Sequence, residues 1–125
     1  MSYAVYRVAS AGMPMEHHAI FIELDSHTGS GQIFQVTGNI QAGMSYETKA
    51  GGKPEEELGY FGKVLVGRVA VGDYEKLGEV CADVEVPGKQ FDGPRRLVPA
   101  GVRLRRCQEW TEEALGRLRE DGVLV

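Results

Sequence analysis

Cysteine is scarce in this sequence: 125 residues hold two, Cys81 and Cys107. Neither belongs to a C-x-x-C pair, and no His, Cys or carboxylate set falls at zinc-ligand spacing, so neither a structural zinc site nor a disulfide framework is expected. Basic charge is also in short supply. Fourteen Lys and Arg stand against 18 Asp and Glu, and the net charge of −4 leaves no field to draw in a phosphate backbone, which argues against a nucleic-acid partner. No apolar run approaches the roughly 18 residues of a membrane span. The polar opening "MSYAVYRVASAG" lacks the apolar centre of a signal peptide, so a soluble, cytoplasmic protein with no membrane span is expected. Glycine, by contrast, is plentiful. Seventeen residues of it recur between short apolar runs, which points to many turns and short strands rather than a helical bundle.

Alternation of apolar and polar residues predicts a first strand over Tyr3–Ala9, and a second beginning at His17 in "HHAIFIEL". The turn formers of "DSHTGSG" join it to a third in "QIFQVTG", with His27 on the surface of that hairpin loop. A short strand is expected around Met44–Thr48, followed by a polar loop at "GGKPEEE". A long Val-rich strand is expected in "YFGKVLVGRVAV", from Tyr60 to Val71. "DYEKLGEVCADV" reads as a short helix with Asp73 as its N-cap, its Leu77, Val80 and Cys81 falling on one apolar face, which makes Cys81 a core residue. Proline and glycine in "VPGKQFDGPRRLVPAGV" predict a long irregular connection of the kind that edges binding sites. A last helix then runs from Cys107 to Glu120, stopped by Gly122, with Cys107, Trp110, Thr111, Ala114, Leu115 and Leu118 on one face. The whole predicts one α+β domain over residues 1–125, an antiparallel sheet packed against a few helices.

Chemistry concentrates at Cys107. A thiol attacks carbonyl carbon as the thiolate, and a helix N-terminus, the neighbouring Arg105 and Arg106, and an imidazole would each favour that form. The arginines 95, 96, 103, 105 and 106 make a local basic cluster that reads either as a solvated loop face or as a contact for an acidic substrate. Among the histidines, His17 and His18 open a strand and should point to opposite faces, so only one is expected to meet the helix of Cys107. The competing reading of Cys107 is a small buried apolar residue, and of His17 a structural histidine at a strand end.

The blocks "EHHAIFIEL", "GQIFQVTG" and "RRCQEW" resemble the circularly permuted papain-like thiol enzymes of the lecithin–retinol acyltransferase and NlpC/P60 superfamily. That family sets a His at the head of one strand, a polar residue on the next and a Cys at the N-terminus of a later helix. The resemblance implies a permuted papain-like fold and a catalytic set of Cys107 as nucleophile, His17 as base and Gln35 as the residue that orients the imidazole. His18, Arg106 and Trp110 are then candidate substrate contacts, although Trp110 also suits the core. The implied activity is that of a hydrolase or acyltransferase on an amide, thioester or ester, with a small-molecule or peptide substrate and no cofactor.

Two positions depart from the family. Gln35 stands where acyltransferase-like members usually carry His, and a glutamine cannot stabilise an imidazolium as an acid would. Arg106 stands where Asn often caps the helix. These departures keep alive an alternative, a papain-like scaffold that binds a peptide, acyl chain or small metabolite without turnover. A module whose partner covers the stretch from Pro87 to Val102 is a third reading.

Overall fold

The computed structural model describes residues 1–125. The fold is α+β. Five antiparallel strands, β1 (Ser2–Ser10), β2 (His17–Glu23), β3 (Gly31–Asn39), β4 (Gly43–Gly51) and β5 (Tyr60–Ala70), form a sheet in the order β4-β3-β2-β1-β5. Helices α1 (Tyr74–Asp83) and α2 (Cys107–Glu120) follow it in the chain, with a small hairpin of β6 (Phe91–Asp92) and β7 (Arg95–Arg96) between them. No helix is long and apolar enough to cross a membrane.

Two-residue alternation decides which side chains enter the core. Ile20 and Ile22 of β2, Phe34 and Val36 of β3, Val5 of β1 and Val69 of β5 join Leu77, Val80 and Cys81 of α1 and Trp110, Ala114, Leu115 and Leu118 of α2 in one buried cluster. Each large apolar side chain removed from water there contributes about 1.5–3 kcal/mol. The intervening residues His17, Ala19, Phe21, Ile33 and Gln35 fall on the other face of the sheet, where the turn at Pro54–Glu56 lies against them and buries Pro54. Both helices therefore cover one side, and His17 and Gln35 lie with Ala19, Phe21 and Ile33 on the other.

The β2–β3 connection folds as its turn residues require. The Asp25 carboxylate accepts the backbone N–H of His27 at 2.8 Å and of Thr28 at 3.4 Å, and Gly29 takes a φ of 77°. Gly31 then enters the ladder so close to β2 that a Cβ would lie 1.8 Å from the Ile22 carbonyl oxygen, so no other residue fits without moving a strand. At its far end α2 closes with a Schellman arrangement. Gly122, at φ 72°, donates to the Arg119 carbonyl and Val123 to that of Leu118, and Val125 then pairs in both directions with Arg68 of β5.

Several elements differ from the sequence expectation. Strand β4 runs nine residues rather than five, because Gly43–Gly51 pairs with β3 along its whole length. The polar "GGKPEEE" loop contains an ordered 3-10 turn, tied down by the ion pair of Lys63 with Glu55 at 3.2 Å. Asp73 occupies the N-cap position of α1, yet its side chain makes no capping bond; a 3-10 turn over Val71–Asp73 leads into the helix instead. The stretch between the helices is not wholly irregular, since it includes the β6–β7 hairpin.

Candidate active site

The N-terminus of α2 is fastened at the head of β2. Arg7 of β1 donates to the Gln108 carbonyl at 3.2 Å and pairs with Glu112, while the Gln108 side chain donates to the Glu16 carbonyl. From the loop before the helix, buried Gln90 grips the Arg105 backbone in both directions: its amide donates to the carbonyl at 2.6 Å and its oxygen accepts the N–H at 2.7 Å. The sequence marked the 86–102 connection as a site edge without singling out Gln90.

Arg106 is the N-cap residue, and its guanidinium can donate but not accept, so it caps no helical N–H. The cap comes from the other direction. Glu109 reaches back to accept the Arg106 N–H at 2.7 Å, which is the reciprocal half of a capping box. The usual side-chain cap is thus absent, as the arginine leads one to expect, and Glu109 satisfies one of the N–H groups at the helix start.

Cys107 opens the helix with 7% of its surface exposed, and it lines the same cleft as the His17 imidazole. The other side of that ring is fixed. His17 Nε2 lies 2.7 Å from Gln35 Oε1, and Gln35 Nε2 donates to Glu47 Oε1 at 2.6 Å. A carboxylate only accepts, so Glu47 obliges the Gln35 amide to turn its NH2 outward and its oxygen toward the ring. His17 must then carry its proton on Nε2, which leaves the Nδ1 lone pair for the thiol. The register explains the assembly: Gln35 pairs with Glu47 directly across β3 and β4, and β2–β3 pairing continued from Ile20 with Phe34 puts Gln35 one diagonal step from His17.

Electrostatics follow this geometry. The hydrogen bond from the Cys107 thiol is the largest influence on His17 and raises its pKa above the ordinary 6.5; burial opposes it, while Gln35, the sulfur's charge and Glu47 assist. For Cys107 burial is the largest influence and acts upward. The His17 hydrogen bond, the His18 backbone N–H, the imidazole charge and its own N–H together outweigh it and bring the thiol below its ordinary 9.0. Cys81 has no such partners, and burial alone pushes it up to about 12.

A cleft of about 290 Å³ is lined by Met13, Met15, Asn39, Ile40 and Met44 together with His17, Arg106 and Cys107. Two of the candidate substrate contacts lie outside it. Trp110 is fully buried, packed on Tyr46 with ring centroids 5.7 Å apart, and its indole N–H donates to the Val84 carbonyl at 3.4 Å. The His18 side chain is held between Arg7, at 2.9 Å, and Glu16, also at 2.9 Å, away from the cleft wall. The two histidines do point apart, yet both lie beside α2: His17 lines the cleft with Cys107, and the His18 carbonyl accepts from the Thr111 hydroxyl at 3.5 Å. His27 lies exposed in its loop. No three His, Cys, Asp or Glu side chains cluster as metal ligands would.

Residues 4–125, nearly the full chain, match the model of a family described as one of unknown function, DUF6540. The chain belongs to that family. No curated protein and no solved structure matches it. In this DUF6540 chain Glu47 is the member of the hydrogen-bonded set around His17 that sequence reasoning missed. Its signal was present in "SYETK", where alternation about the inward Tyr46 sends Glu47 to the face that carries Gln35.

Proposed function

We propose that the protein is a cysteine-dependent hydrolase or acyltransferase of permuted papain-like construction, acting on an amide, thioester or ester. The observation that carries this reading is the meeting of Cys107 and His17 at one cleft, with His17 bonded through Gln35 to Glu47. In the acylation step His17 Nδ1 takes the thiol proton, the sulfur attacks the carbonyl carbon, and the Cys107 N–H, one of those that a helix start leaves without an internal partner, faces the oxyanion. The imidazolium returns the proton to the leaving amine, thiol or alcohol as its bond to carbon breaks. Water or an acceptor alcohol or amine then loses a proton to His17, attacks the thioester, and restores the sulfur.

Both departures that favoured a binding scaffold without turnover have a counterpart in the structure. Glu47 backs the neutral Gln35 with a carboxylate, and Glu109 satisfies the Arg106 N–H at the start of the helix that Arg106 leaves without a side-chain cap.

Exposure to iodoacetamide at pH 6, followed by peptide mapping, tests the reading. Cys107 is expected to react at least tenfold faster than free cysteine, which is almost wholly protonated at that pH, while Cys81 stays unlabelled. With p-nitrophenyl acetate, intact mass should show one acetyl group, absent in Cys107→Ser. A Cys107 no more reactive than free cysteine would remove the enzymatic reading.

Glu47→Gln tests the relay. A second amide at position 47 can present either end to Gln35, so the Gln35 oxygen is no longer held toward His17. Alkylation of Cys107 at pH 6 is expected to slow about three- to tenfold, from the loss of roughly one charge-assisted hydrogen bond, with its pH midpoint moved upward. An unaltered profile would show that Glu47 is a bystander.

A further inference from the structure

Charge is distributed unevenly around the cleft. The chain carries 18 acidic residues and a net charge of −4, yet none of the cleft-lining side chains is a carboxylate. The arginines that lead into α2 also divide in two. Arg103 pairs with Glu109 at 3.1 Å and Arg105 with Glu113, which neutralises both. Arg106 lines the cleft, next in sequence to the nucleophile, and no carboxylate comes within 4.0 Å of its guanidinium. Its side chain has no helix-capping duty, since it cannot accept the N–H groups it adjoins. An arginine with neither an ionic partner nor a structural task, in a cleft without acids, is arranged to receive an anion.

We propose that the substrate of this site is anionic: its acyl portion carries a carboxylate or phosphate a few bonds from the reacting carbonyl, and Arg106 binds that group by a forked, charge-assisted contact. This assignment rests on the acyl-transfer reading and adds the substrate's charge to it. Arg106 and Cys107 are adjacent, with Cα atoms about 3.8 Å apart, so an anion held by the extended guanidinium sets a short spacing to the carbonyl above the sulfur. Neighbouring Met13, Met15, Ile40 and Met44 give the rest of the substrate apolar surroundings, while Asn39 offers an amide. A buried neutral amide substrate would leave the guanidinium partly desolvated and unpaired, which disfavours neutral substrates relative to anionic ones.

Two alkylating agents of nearly the same shape and opposite electrostatics test this without knowledge of the natural substrate. Iodoacetate is anionic and iodoacetamide neutral, and the ratio of their rates at Cys107 reports the anion preference with the thiolate fraction cancelled. In the full-length protein that ratio is expected to fall about tenfold in Arg106→Gln, to survive largely in Arg106→Lys, which keeps the charge, and to shrink as salt is raised. Succinate and inorganic phosphate, each added as a competitor of iodoacetate, distinguish a carboxylate from a phosphate: slowing by either one that disappears in Arg106→Gln supports the assignment. A ratio unchanged in Arg106→Gln, or competition by neither anion, overturns it. If iodoacetamide already fails to single out Cys107 in the unaltered protein, the acyl-transfer reading itself falls; selective iodoacetamide labelling with an unchanged ratio sinks the anion assignment alone.

Discussion

His17→Ala is expected to slow alkylation of Cys107 near neutral pH by about a hundredfold, at the lower end of what one positioned general base contributes. The reason lies in the balance of forces on the sulfur. Burial pushes the thiol upward, and the hydrogen bond from His17 is the largest influence in the opposite direction, followed by the His18 N–H and the imidazole charge. Removing the ring deletes two of these downward influences and leaves burial in place, so the midpoint of the pH–rate curve moves up. The sign is set by the reactive form: alkylation rises with pH as thiolate accumulates, and a raised thiol pKa moves that rise to higher pH. In the unaltered protein the midpoint of the rise is expected below the 9.0 of an ordinary thiol. Iodoacetamide rates from pH 5 to 10 on both proteins check this; coincident curves would show that the imidazole does not act on the sulfur.

Trp110→Ala is expected to cost about 3–5 kcal/mol, a large part of the roughly 5–15 kcal/mol by which domains of this size are stable. Trp110 is fully buried where α2 crosses the sheet, one helical turn after Cys107, between Tyr46 of β4 and the Val84 carbonyl beyond α1. Truncation leaves a cavity against the sheet and an unpaired carbonyl at Val84, and it loosens the turn that aims the sulfur. Urea denaturation should show a lower midpoint for Trp110→Ala. Trp110→Phe retains most of the ring and is expected to lose less stability while Cys107 keeps its alkylation profile in the folded protein. A substrate-contact role would have the opposite signature, an altered profile with little change in stability.

The strands and helices were legible because they depend on periodicity. "HHAIFIEL" and "QIFQVTG" alternate, the apolar stripe from Cys107 to Leu118 follows the helical period, and both patterns hold wherever one face is buried. The full length of β4 was less visible, since "GMSYETKAG" is half-exposed and weakly apolar and owes its extent to pairing with β3. Cys107, His17 and Gln35 could be singled out by residue type and position. The link from Gln35 to Glu47 could not, because it depends on which residue of β4 stands opposite β3, a matter of register. The cap by Glu109 was readable in principle: it lies three residues after Arg106, the spacing of a capping box, but an arginine at the first position hid the pattern. Trp110 was drawn toward the cleft by its proximity to Cys107 in sequence, yet three residues along a helix carry a side chain one turn deeper into the core.

The central claim is that Cys107 and His17 form one titrating pair, and nuclear magnetic resonance of the His17 ring tests it most directly. In the unaltered protein the imidazole is expected to titrate above 6.5, and in Cys107→Ser its pKa should fall, because the sulfur supplies the largest upward influence on it and burial, which acts downward, remains. An imidazole that titrates identically in the two proteins would contradict the pairing and with it the proposed chemistry.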